Sequence, residues 1–314
     1  MRDTVRPRRS VLYVPGSNVR ALSKAVTLDA DVLILDLEDA VTPDAKVEAR
    51  RNVAAALAGW PRSHHELVVR INSPGGPWGS QDLAMAAVSG AHAVLLPKVE
   101  ESTSVAALDA SLHQFGAPAE LRIWCMIETP LGVLRVSEIA SASSRLDALV
   151  MGTSDLVQML QARHTANRLP VLVSIAHCLL AARAYGLSML DGVHLDLADT
   201  DGLALACTQA RDMGLDGKTL IHPATIAAAN SAFAPGPDEV EMAGRVIDAY
   251  RRAEMEGAGV TTLDGKLVEA LHVRDAERLL ALDAGVRRRR LATNAQQPTP
   301  PPPLQSDAAT YAAP

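Results

Sequence analysis

The sequence predicts a closed (β/α)8 barrel of the TIM type, followed by a small helical appendage. The chain has 314 residues, which suits one barrel of about 250 residues with an extension. Short apolar segments alternate with longer Ala- and Leu-rich segments along the chain, as expected for consecutive βαβ units. Hydrophobic residues make up 48% of the sequence and aromatic residues only 3%. Such an aliphatic core is typical of buried parallel strands.

Eight segments have the length and composition of strands: residues 11–14, 32–36, 67–71, 93–97, 122–128, 148–151, 188–191 and 220–222. The segments between them have helical length, for example residues 43–57, 102–113 and 171–185. Eight units favour a closed barrel over an open doubly wound sheet. The lack of a GxGxxG dinucleotide fingerprint weakens the open sheet further.

The composition changes after the predicted eighth strand. Pro235-Gly236-Pro237 ends the barrel, and residues 238–256 form an amphipathic pattern with an acidic first turn, as in a helix. A turn at Asp264-Gly265-Lys266 precedes a second predicted helix over residues 267–282.

The predicted organisation of the chain therefore has four parts. They are a flexible N-terminus (1–8), a barrel (9–235), a helical appendage (236–286) and a disordered basic, Pro-rich tail (287–314). The arginine run at 287–290 is interpreted as a solvated helix end rather than a nucleic-acid patch.

Composition also excludes several classes of partner. The formal net charge of −6 argues against nucleic acid, and no apolar run approaches the ~20 residues that a membrane span needs. Cys125, Cys178 and Cys207 lie far apart without CxxC spacing, which is typical of reduced thiols rather than disulfides or a zinc site. We predict a cytoplasmic protein with no membrane partner.

The active site of such a barrel lies at the carboxyl ends of its strands. The predicted strand ends carry Asp36, Glu38, Asp39, Arg70, Lys98, Glu100, Glu128, Asp155, Asp191 and His222. Carboxylates that converge on one mouth repel each other unless a cation neutralises them. Oxygen ligands favour Mg2+ or Mn2+ over zinc. The sequence therefore predicts a hard divalent cation at the barrel mouth.

Several of these residues also have a purely structural interpretation. Glu128 and Asp155 can cap the helices that follow their strands. Alternation along a strand sends Asp36 and Glu38 to one face and Asp39 to the other, so the three cannot all bind one ion. Arg70, in a strand at the mouth, needs an anionic partner.

Ordered motifs resemble the citrate lyase β-subunit/malyl-CoA lyase family, in the HpcH/HpaI aldolase superfamily, over residues 9–283. They are RSVLYVPGS from Arg9, LDLEDAV from Leu35, VRIN from Val69, PKVE from Pro97, IETP from Ile127, GTSDL from Gly152, GKTLIHP from Gly217 and DGKLVE from Asp264. The resemblance implies the barrel fold and homotrimeric or hexameric assembly.

The resemblance also implies roles for individual residues. Glu128 and Asp155 would bind Mg2+, with Mn2+ able to replace it, while Glu38 and Asp39 would hold metal-bound waters. Arg70 would contact the carbonyl oxygen on which enolate charge develops.

Further residues would bind substrate or supply the base. The residues that would line the CoA or acyl path are Tyr13, Lys24, Ile221 and His222. In malyl-CoA lyases the appendage covers a neighbouring subunit's site and contributes an acidic residue. That position is Glu269 here, where many relatives have Asp.

The activity implied is a Mg2+-dependent, reversible Claisen-type cleavage of a hydroxyacyl-CoA to an acyl-CoA and an α-keto acid. Malyl-, β-methylmalyl-, citramalyl- and citryl-CoA differ by groups that a pocket distinguishes by only ~1–3 kcal/mol per methylene. Loops 73–80 and 163–168 are expected to make that choice.

Four alternatives to this activity remain open at this point. Three are enzymatic: a malyl-CoA thioesterase, a free-acid aldolase and a carrier-protein-dependent citrate lyase β subunit. The fourth is a non-catalytic barrel that binds CoA esters.

Overall fold

The protein, described here from a computed structural model over residues 6–60 and 65–296, is an eight-stranded closed parallel barrel with surrounding helices. Each strand pairs with the next in sequence, and the first also pairs with the eighth. The strands are β1 Ser10–Pro15, β2 Val32–Asp36, β3 Glu66–Arg70, β4 Ala93–Leu96, β5 Arg122–Ile127, β6 Leu146–Met151, β7 Ser188–Asp191 and β8 Gly217–Leu220. The predicted fold is confirmed.

Helices connect the strands and cover the outside of the barrel. They are α1 Val19–Ala25, α2 Lys46–Gly59, α3 Gly79–Val88, α4 Ser102–Gln114, α5 Pro130–Leu134, α6 Val136–Ala140, α7 Thr153–Met159, α8 Leu169–Ala184, α9 Thr200–Met213 and α10 Ile226–Ala232. No helix in residues 6–60 and 65–296 is long and apolar enough to cross a membrane.

Two hydrophobic layers follow from the alternation of side chains along each strand. Ile34 and Trp124 belong to the small cluster inside the barrel, whereas Leu33 and Leu35 pack in the larger layer under the helices. At the amino ends of the strands, the Arg8 guanidinium stacks 4.8 Å from the Trp124 ring centroid. This arrangement closes the floor and leaves the carboxyl ends to form the cavity.

The eighth strand begins earlier than the sequence predicts. It spans Gly217–Leu220 instead of 220–222. The strand can include the charged residue Lys218 because an aspartate neutralises it. Lys218 is 1% exposed, and its Nζ lies 2.7 Å from Asp191 Oδ2. This ion pair lies on the side of the strand opposite Thr219, which faces the mouth. Asp191 is therefore not part of the mouth.

The appendage consists of α11 Pro237–Met255, the hairpin β9 Val260–Leu263 and β10 Lys266–Glu269, and α12 Ala270–Gln296. The predicted turn is present: Asp264 and Gly265 have φ values of 50° and 76°, as in the type I′ turns that join hairpin strands. The predicted helix over 267–282 is wrong at its start, because the segment before Ala270 pairs with Val260–Leu263. Cross-strand pairing overrides the local helical pattern there.

The boundary of the predicted disordered tail is also corrected. Helix α12 continues to Gln296, so residues 287–296 are helical, while residues 297–314 lie outside the described residues. Arg289 is buried, with Nε 2.7 Å from Asp31 Oδ1 and a hydrogen bond to the carbonyl of Ala30. The arginine run therefore includes one residue that holds α12 against the barrel.

The N-terminal boundary needs a similar correction. Arg8, assigned to a flexible segment, donates bidentate hydrogen bonds of 2.7 Å to Glu66 and contacts Asp147. Residues 1–5 lie outside the described residues.

Replacing Arg289 with alanine should lower the free energy of unfolding by about 2 kcal/mol, the range for a lost hydrogen bond to a charged group. Arg287 offers a matched control, since its side chain is 68% exposed and pairs with Asp283 on the same helix. Arg287→Ala should change stability by less than about 0.5 kcal/mol. Urea denaturation of both variants measures this, and equal losses would contradict the role of Arg289.

Candidate active site

A cavity of about 240 Å3 opens at the carboxyl ends of the barrel strands. Its lining combines charged groups with an apolar wall: Tyr13, Asp36, Ala40, Arg70, Met126, Glu128, Met151, Gly152, Thr153, Ser154, Asp155, Val193, Leu195, Thr219 and Ile221. Strand topology alone brings these residues together, since they come from strand ends or loops spread along the chain. The cavity is the candidate site.

A larger cavity of about 550 Å3 lies at the opposite end, between the barrel floor and the appendage. It contains several arginines, but Arg8 pairs with Glu66, Arg183 with Asp216 and Arg211 with Glu239. Within each pair the two charges neutralise each other, so these arginines are not left to bind an anionic substrate. Arginines are also favoured near the carboxyl ends of helices for structural reasons. We therefore assign the chemistry to the mouth.

Arg70 is held in place by the strand beside it. Asp36 and Arg70 are register partners on β2 and β3, and Nε and Nη2 of Arg70 lie 2.7 and 2.6 Å from the two Asp36 oxygens. Nη1 lies 3.0 Å from Glu38 Oε2. Burial opposes the charge, but the hydrogen bonds to Asp36 raise the pKa of Arg70 above its ordinary value. Arg70 is a permanent, oriented cation.

Asp36 is therefore the structural member of the Asp36, Glu38 and Asp39 set. It is fully buried and also accepts hydrogen bonds from the backbone N–H groups of Glu38 and Ala40, at 2.9 and 3.3 Å. Asp36 thus orients both Arg70 and the loop that carries Glu38. The sequence motif did not single out this role, although the pairing of neighbouring strand ends could have indicated it.

Glu128 is a buried carboxyl group at the end of β5, 1% exposed. Its Oε1 accepts a hydrogen bond of 2.8 Å from the backbone N–H of Lys98. Burial raises the pKa of Glu128 to about 8, and the adjacent Asp155 carboxylate contributes in the same direction. Thr129 Oγ1, not Glu128, caps the next helix by accepting from Gly132, so the capping interpretation does not hold for Glu128.

Asp155 lies in the first turn of α7, beside Glu128. Gly152 allows this approach: a Cβ there would lie 2.4 Å from Glu128 Cβ and 2.5 Å from Oε2. Only glycine fits such a close contact. Oε2 of Glu128 therefore faces the start of α7, toward Asp155.

The Glu128 and Asp155 carboxylates are suited to bind a hard divalent cation. Two carboxylates in one partly buried site repel each other unless a proton or a cation lies between them. In residues 6–60 and 65–296 no group of three or more His, Cys, Asp or Glu side chains has metal-binding geometry. A cation bound here would rest on two carboxylates and keep several waters, which is how Mg2+ is commonly held.

Glu38 and Asp39 form a second acidic pair at the mouth, and Lys98 bridges them. The Lys98 ammonium contacts Glu38 Oε1 and lies 3.4 Å from Asp39 Oδ2. Burial raises the pKa of Glu38 despite Arg70 and Lys98. For Asp39, burial acts upward, but the hydrogen bond with Glu38 and the charge of Lys98 lower the pKa. The Glu38 backbone is fixed by Lys46, whose Nζ donates to its carbonyl at 2.7 Å.

The remaining predicted substrate residues are divided between the cavity and its surroundings. Tyr13 lies in the cavity with its ring 4.9 Å from the Arg70 guanidinium, and its buried hydroxyl has no hydrogen-bond partner among the described residues. Burial raises the pKa of Tyr13. Ile221 also lines the cavity, whereas Lys24 and His222 are exposed and outside its lining.

Glu269 is not brought to the cavity by its own chain. It ends β10, and its backbone N–H donates to His272 Nδ1 at 3.0 Å. The appendage packs through α11 against α12 and the hairpin. Among the described residues, Glu269 is absent from the cavity lining.

Sequence reasoning missed several groups at the mouth. Lys46 and the hydroxyl of Ser154, which is buried without a partner among the described residues, carried no recognisable pattern. Lys98 lies in a polar strand end after Pro97, but its position in the sequence does not indicate its contacts with Glu38, Asp39 and Glu128.

A parallel barrel with a clamped arginine and paired carboxylates at its mouth defines a class of TIM-barrel enzymes that act at the carboxyl ends of the strands. Within that class, the chain belongs to the HpcH/HpaI aldolase/citrate lyase family, whose sequence profile matches residues 9–223. This confirms the family resemblance.

Named relatives cover nearly the whole chain. A protein named (3S)-malyl-CoA thioesterase from Cereibacter sphaeroides is 45% identical over 281 residues, 90% of this chain and 96% of its own. Citrate lyase subunit beta of Escherichia coli K12 is 35% identical over 84% of this chain and 89% of its own.

Solved structures agree with the fold. CitE of Mycobacterium tuberculosis, in complex with magnesium, acetoacetate and coenzyme A, superposes with a TM-score of 0.70 at 29% identity, covering 88% of this chain and 97% of that one. RipC from Yersinia pestis has a TM-score of 0.63 at 28% identity, covering 74% of this chain and 97% of that one.

Proposed function

We propose that this protein is a Mg2+-dependent enzyme that reversibly cleaves a carbon–carbon bond in a small hydroxyacyl-CoA, giving an acyl-CoA and an α-keto acid. The observation that carries the proposal is the pair formed by buried Glu128 and half-buried Asp155, in the same cavity as the oriented cation Arg70. The CitE structure, which contains magnesium, acetoacetate and coenzyme A, supports binding of a divalent cation and a CoA ester in the present protein.

Glu128 and Asp155 would hold the metal, and Glu38 and Asp39 would hold its waters. When bound, Mg2+, or Mn2+ in its place, would supply a Lewis acid for the hydroxy-acid end of the substrate.

Arg70 would stabilise the charge that forms on the thioester oxygen. As the base takes the hydroxyl proton, the electron pair of the breaking carbon–carbon bond moves to the thioester as an enolate, and the α-keto acid is released. The enolate carbon then takes up a proton, which the protonated base can return, to give the acyl-CoA. Asp36 and Glu38 already hold the guanidinium, so little reorganisation accompanies this step. The Tyr13 hydroxyl, which has no partner within the described part of the chain, is suited to donate to a substrate oxygen.

The base that removes the hydroxyl proton is proposed to be Glu269 of a neighbouring subunit. Two points support this: among the described residues Glu269 is absent from the cavity lining of its own chain, and in malyl-CoA lyases the appendage covers a neighbouring subunit's site. The proposal implies a homo-oligomer, a trimer or a hexamer, in which each hairpin approaches the next barrel.

The cavity wall favours substrates without an additional carboxylate. Met126, Met151, Val193, Leu195 and Ile221 form the apolar part of the lining. Among the described lining residues Arg70 is the one cation, and Asp36 and Glu38 already pair with it. A further carboxylate, as in citryl-CoA, would be buried unpaired at a cost of several kcal/mol. We therefore favour malyl-CoA or a methyl-substituted homologue.

Thioester hydrolysis is the second candidate function. It is favoured by the 45% identity to proteins named (3S)-malyl-CoA thioesterase. Hydrolysis would use the same carboxylates and the same substrate, with water attacking the thioester carbon.

A panel of malyl-, β-methylmalyl-, citramalyl- and citryl-CoA, assayed with Mg2+ and with EDTA, tests these proposals. We expect Mg2+-dependent release of glyoxylate or pyruvate, and turnover of citryl-CoA at least about 100-fold lower, as follows from several kcal/mol of unpaired charge. CoA and malate without keto acid would assign the protein to the thioesterases. No reaction with any thioester would favour a carrier-protein substrate or a free-acid aldolase.

A further inference from the structure

Lys98 has a backbone conformation that residues with side chains rarely adopt. It follows β4 with a φ of 52°, in the left-handed region. Residues held in such sparsely populated conformations tend to occur at functional sites, where the surrounding structure over-determines them. The contacts of Lys98 indicate what this conformation achieves.

The backbone of Lys98 holds one metal-site carboxylate. Its N–H donates to Glu128 Oε1 at 2.8 Å, and the next N–H, of Val99, donates to the carbonyl of Met126 at 3.2 Å. With Oε1 occupied, Oε2 of Glu128 is the oxygen left beside Gly152 and Asp155. The left-handed conformation of Lys98 thus determines which oxygen of Glu128 faces Asp155.

The side chain of Lys98 contacts two further carboxylates, those of Glu38 and Asp39. Its ammonium contacts Glu38 Oε1 and lies 3.4 Å from both oxygens of Asp39. Glu38 also lies 3.0 Å from Arg70 Nη1. One residue therefore connects the end of β5 with the loop after β2, across β3 and β4.

We propose that Lys98 is a positioning residue that sets the metal affinity of this site, acting through Glu128 with its backbone and through Glu38 and Asp39 with its side chain. The inference rests on the proposed function, because it presumes that Glu128 and Asp155 bind Mg2+. Partners that orient ligands from outside the coordination shell commonly contribute 10- to 100-fold to metal affinity.

The sign of the effect separates positioning from simple charge. Lys98 is a cation close to a cation site, so by Coulomb's law alone its removal would tighten Mg2+ binding. Loss of positioning would weaken binding, because Glu38 and Asp39 would repel each other and leave their places. We expect the second outcome.

The test measures Mg2+ affinity by calorimetry in the absence of substrate. Lys98→Met removes the ammonium but keeps the backbone N–H, and it should weaken Mg2+ binding by about 10-fold. Lys98→Arg should restore most of the affinity. Lys266→Met makes the same change in net charge on the exposed hairpin turn and should leave the affinity unchanged.

A second measurement addresses the backbone. Lys98→Gly loses the same ammonium as Lys98→Met but adopts a left-handed φ without strain. It should show the same weakened Mg2+ binding and a higher Tm than Lys98→Met. A lower Tm than Lys98→Met would contradict the conformational part of the inference.

Two outcomes overturn the proposal in distinguishable ways. If wild-type protein binds Mg2+ and Lys98→Met binds it equally or more tightly, Lys98 is not a positioning residue although the metal site stands. If wild-type protein itself takes up no Mg2+, the proposed function fails, and the inference fails with it.

Discussion

Glu128→Gln is expected to abolish Mg2+ binding and to lower kcat by about 10^3-fold, which corresponds to the several kcal/mol of charge stabilisation that a bound metal supplies. Glutamine has nearly the same shape, so its side-chain oxygen can keep the hydrogen bond from the Lys98 N–H. What it loses is the charge that would bind the cation together with Asp155. Calorimetry and turnover of the best thioester in the panel measure both effects.

The pH dependence of stability provides a control that needs no substrate. Burial raises the pKa of Glu128 to about 8, so in EDTA the folded state holds the proton more tightly than the unfolded chain. The associated stability is present below the ordinary glutamate pKa of about 4.3 and is lost as the pH rises to about 8. Glu128→Gln should remove this loss.

Each of these two measurements, of Mg2+ affinity and of stability against pH, has an outcome that would contradict the role of Glu128. Unchanged Mg2+ affinity in Glu128→Gln would show that the metal lies elsewhere. A stability profile identical to that of the wild type between pH 5 and about 8 would show that the carboxyl group is not desolvated as its burial indicates.

Arg70→Lys should lower kcat/KM by about 10^2- to 10^3-fold, the usual cost of losing one group that stabilises an oxyanion. Lysine keeps the charge, but it cannot pair with both oxygens of Asp36 and reach Glu38 at the same time. The positive charge would then lie away from the thioester oxygen. Steady-state kinetics on the preferred substrate measures the loss.

Arg145→Lys is the matched control for this change. Arg145 is also buried and pairs with a carboxylate, with Nε 3.0 Å from Asp109 Oδ1, but it precedes β6 at the opposite end of the barrel. We expect a loss of stability with little change in kcat/KM. If Arg145→Lys reduced kcat/KM as much as Arg70→Lys, the effect of Arg70 would be structural rather than chemical.

Most of the candidate site could be located from the sequence, because the position of these residues follows from one rule of barrel topology. Once eight βα units are recognised, the residue after each strand must lie at the mouth. Arg70, Glu128 and Asp155 were found in this way. That Glu128 and Asp155 need a counter-charge could be predicted without coordinates, because converging carboxylates repel each other whatever their exact distances.

The same reasoning failed where a distant partner decides the outcome. The predicted eighth strand left out Lys218, yet this lysine lies in the strand and Asp191 neutralises it under the helices. The segment before Ala270 has a helical pattern, but its hairpin partner makes it a strand. Arg289 looked like part of a solvated run, yet it is buried against Asp31.

By itself, the sequence determined the barrel, its family and the set of charged residues at the mouth, because strand periodicity and chain order are local properties. Only the tertiary structure decided which charges pair: Asp36 with Arg70, and Lys98 with Glu38. It also placed Glu269 outside the cavity of its own chain. Pairing and burial depend on distances across the fold and on the loss of water around each charge, and neither is written in any short segment of the chain.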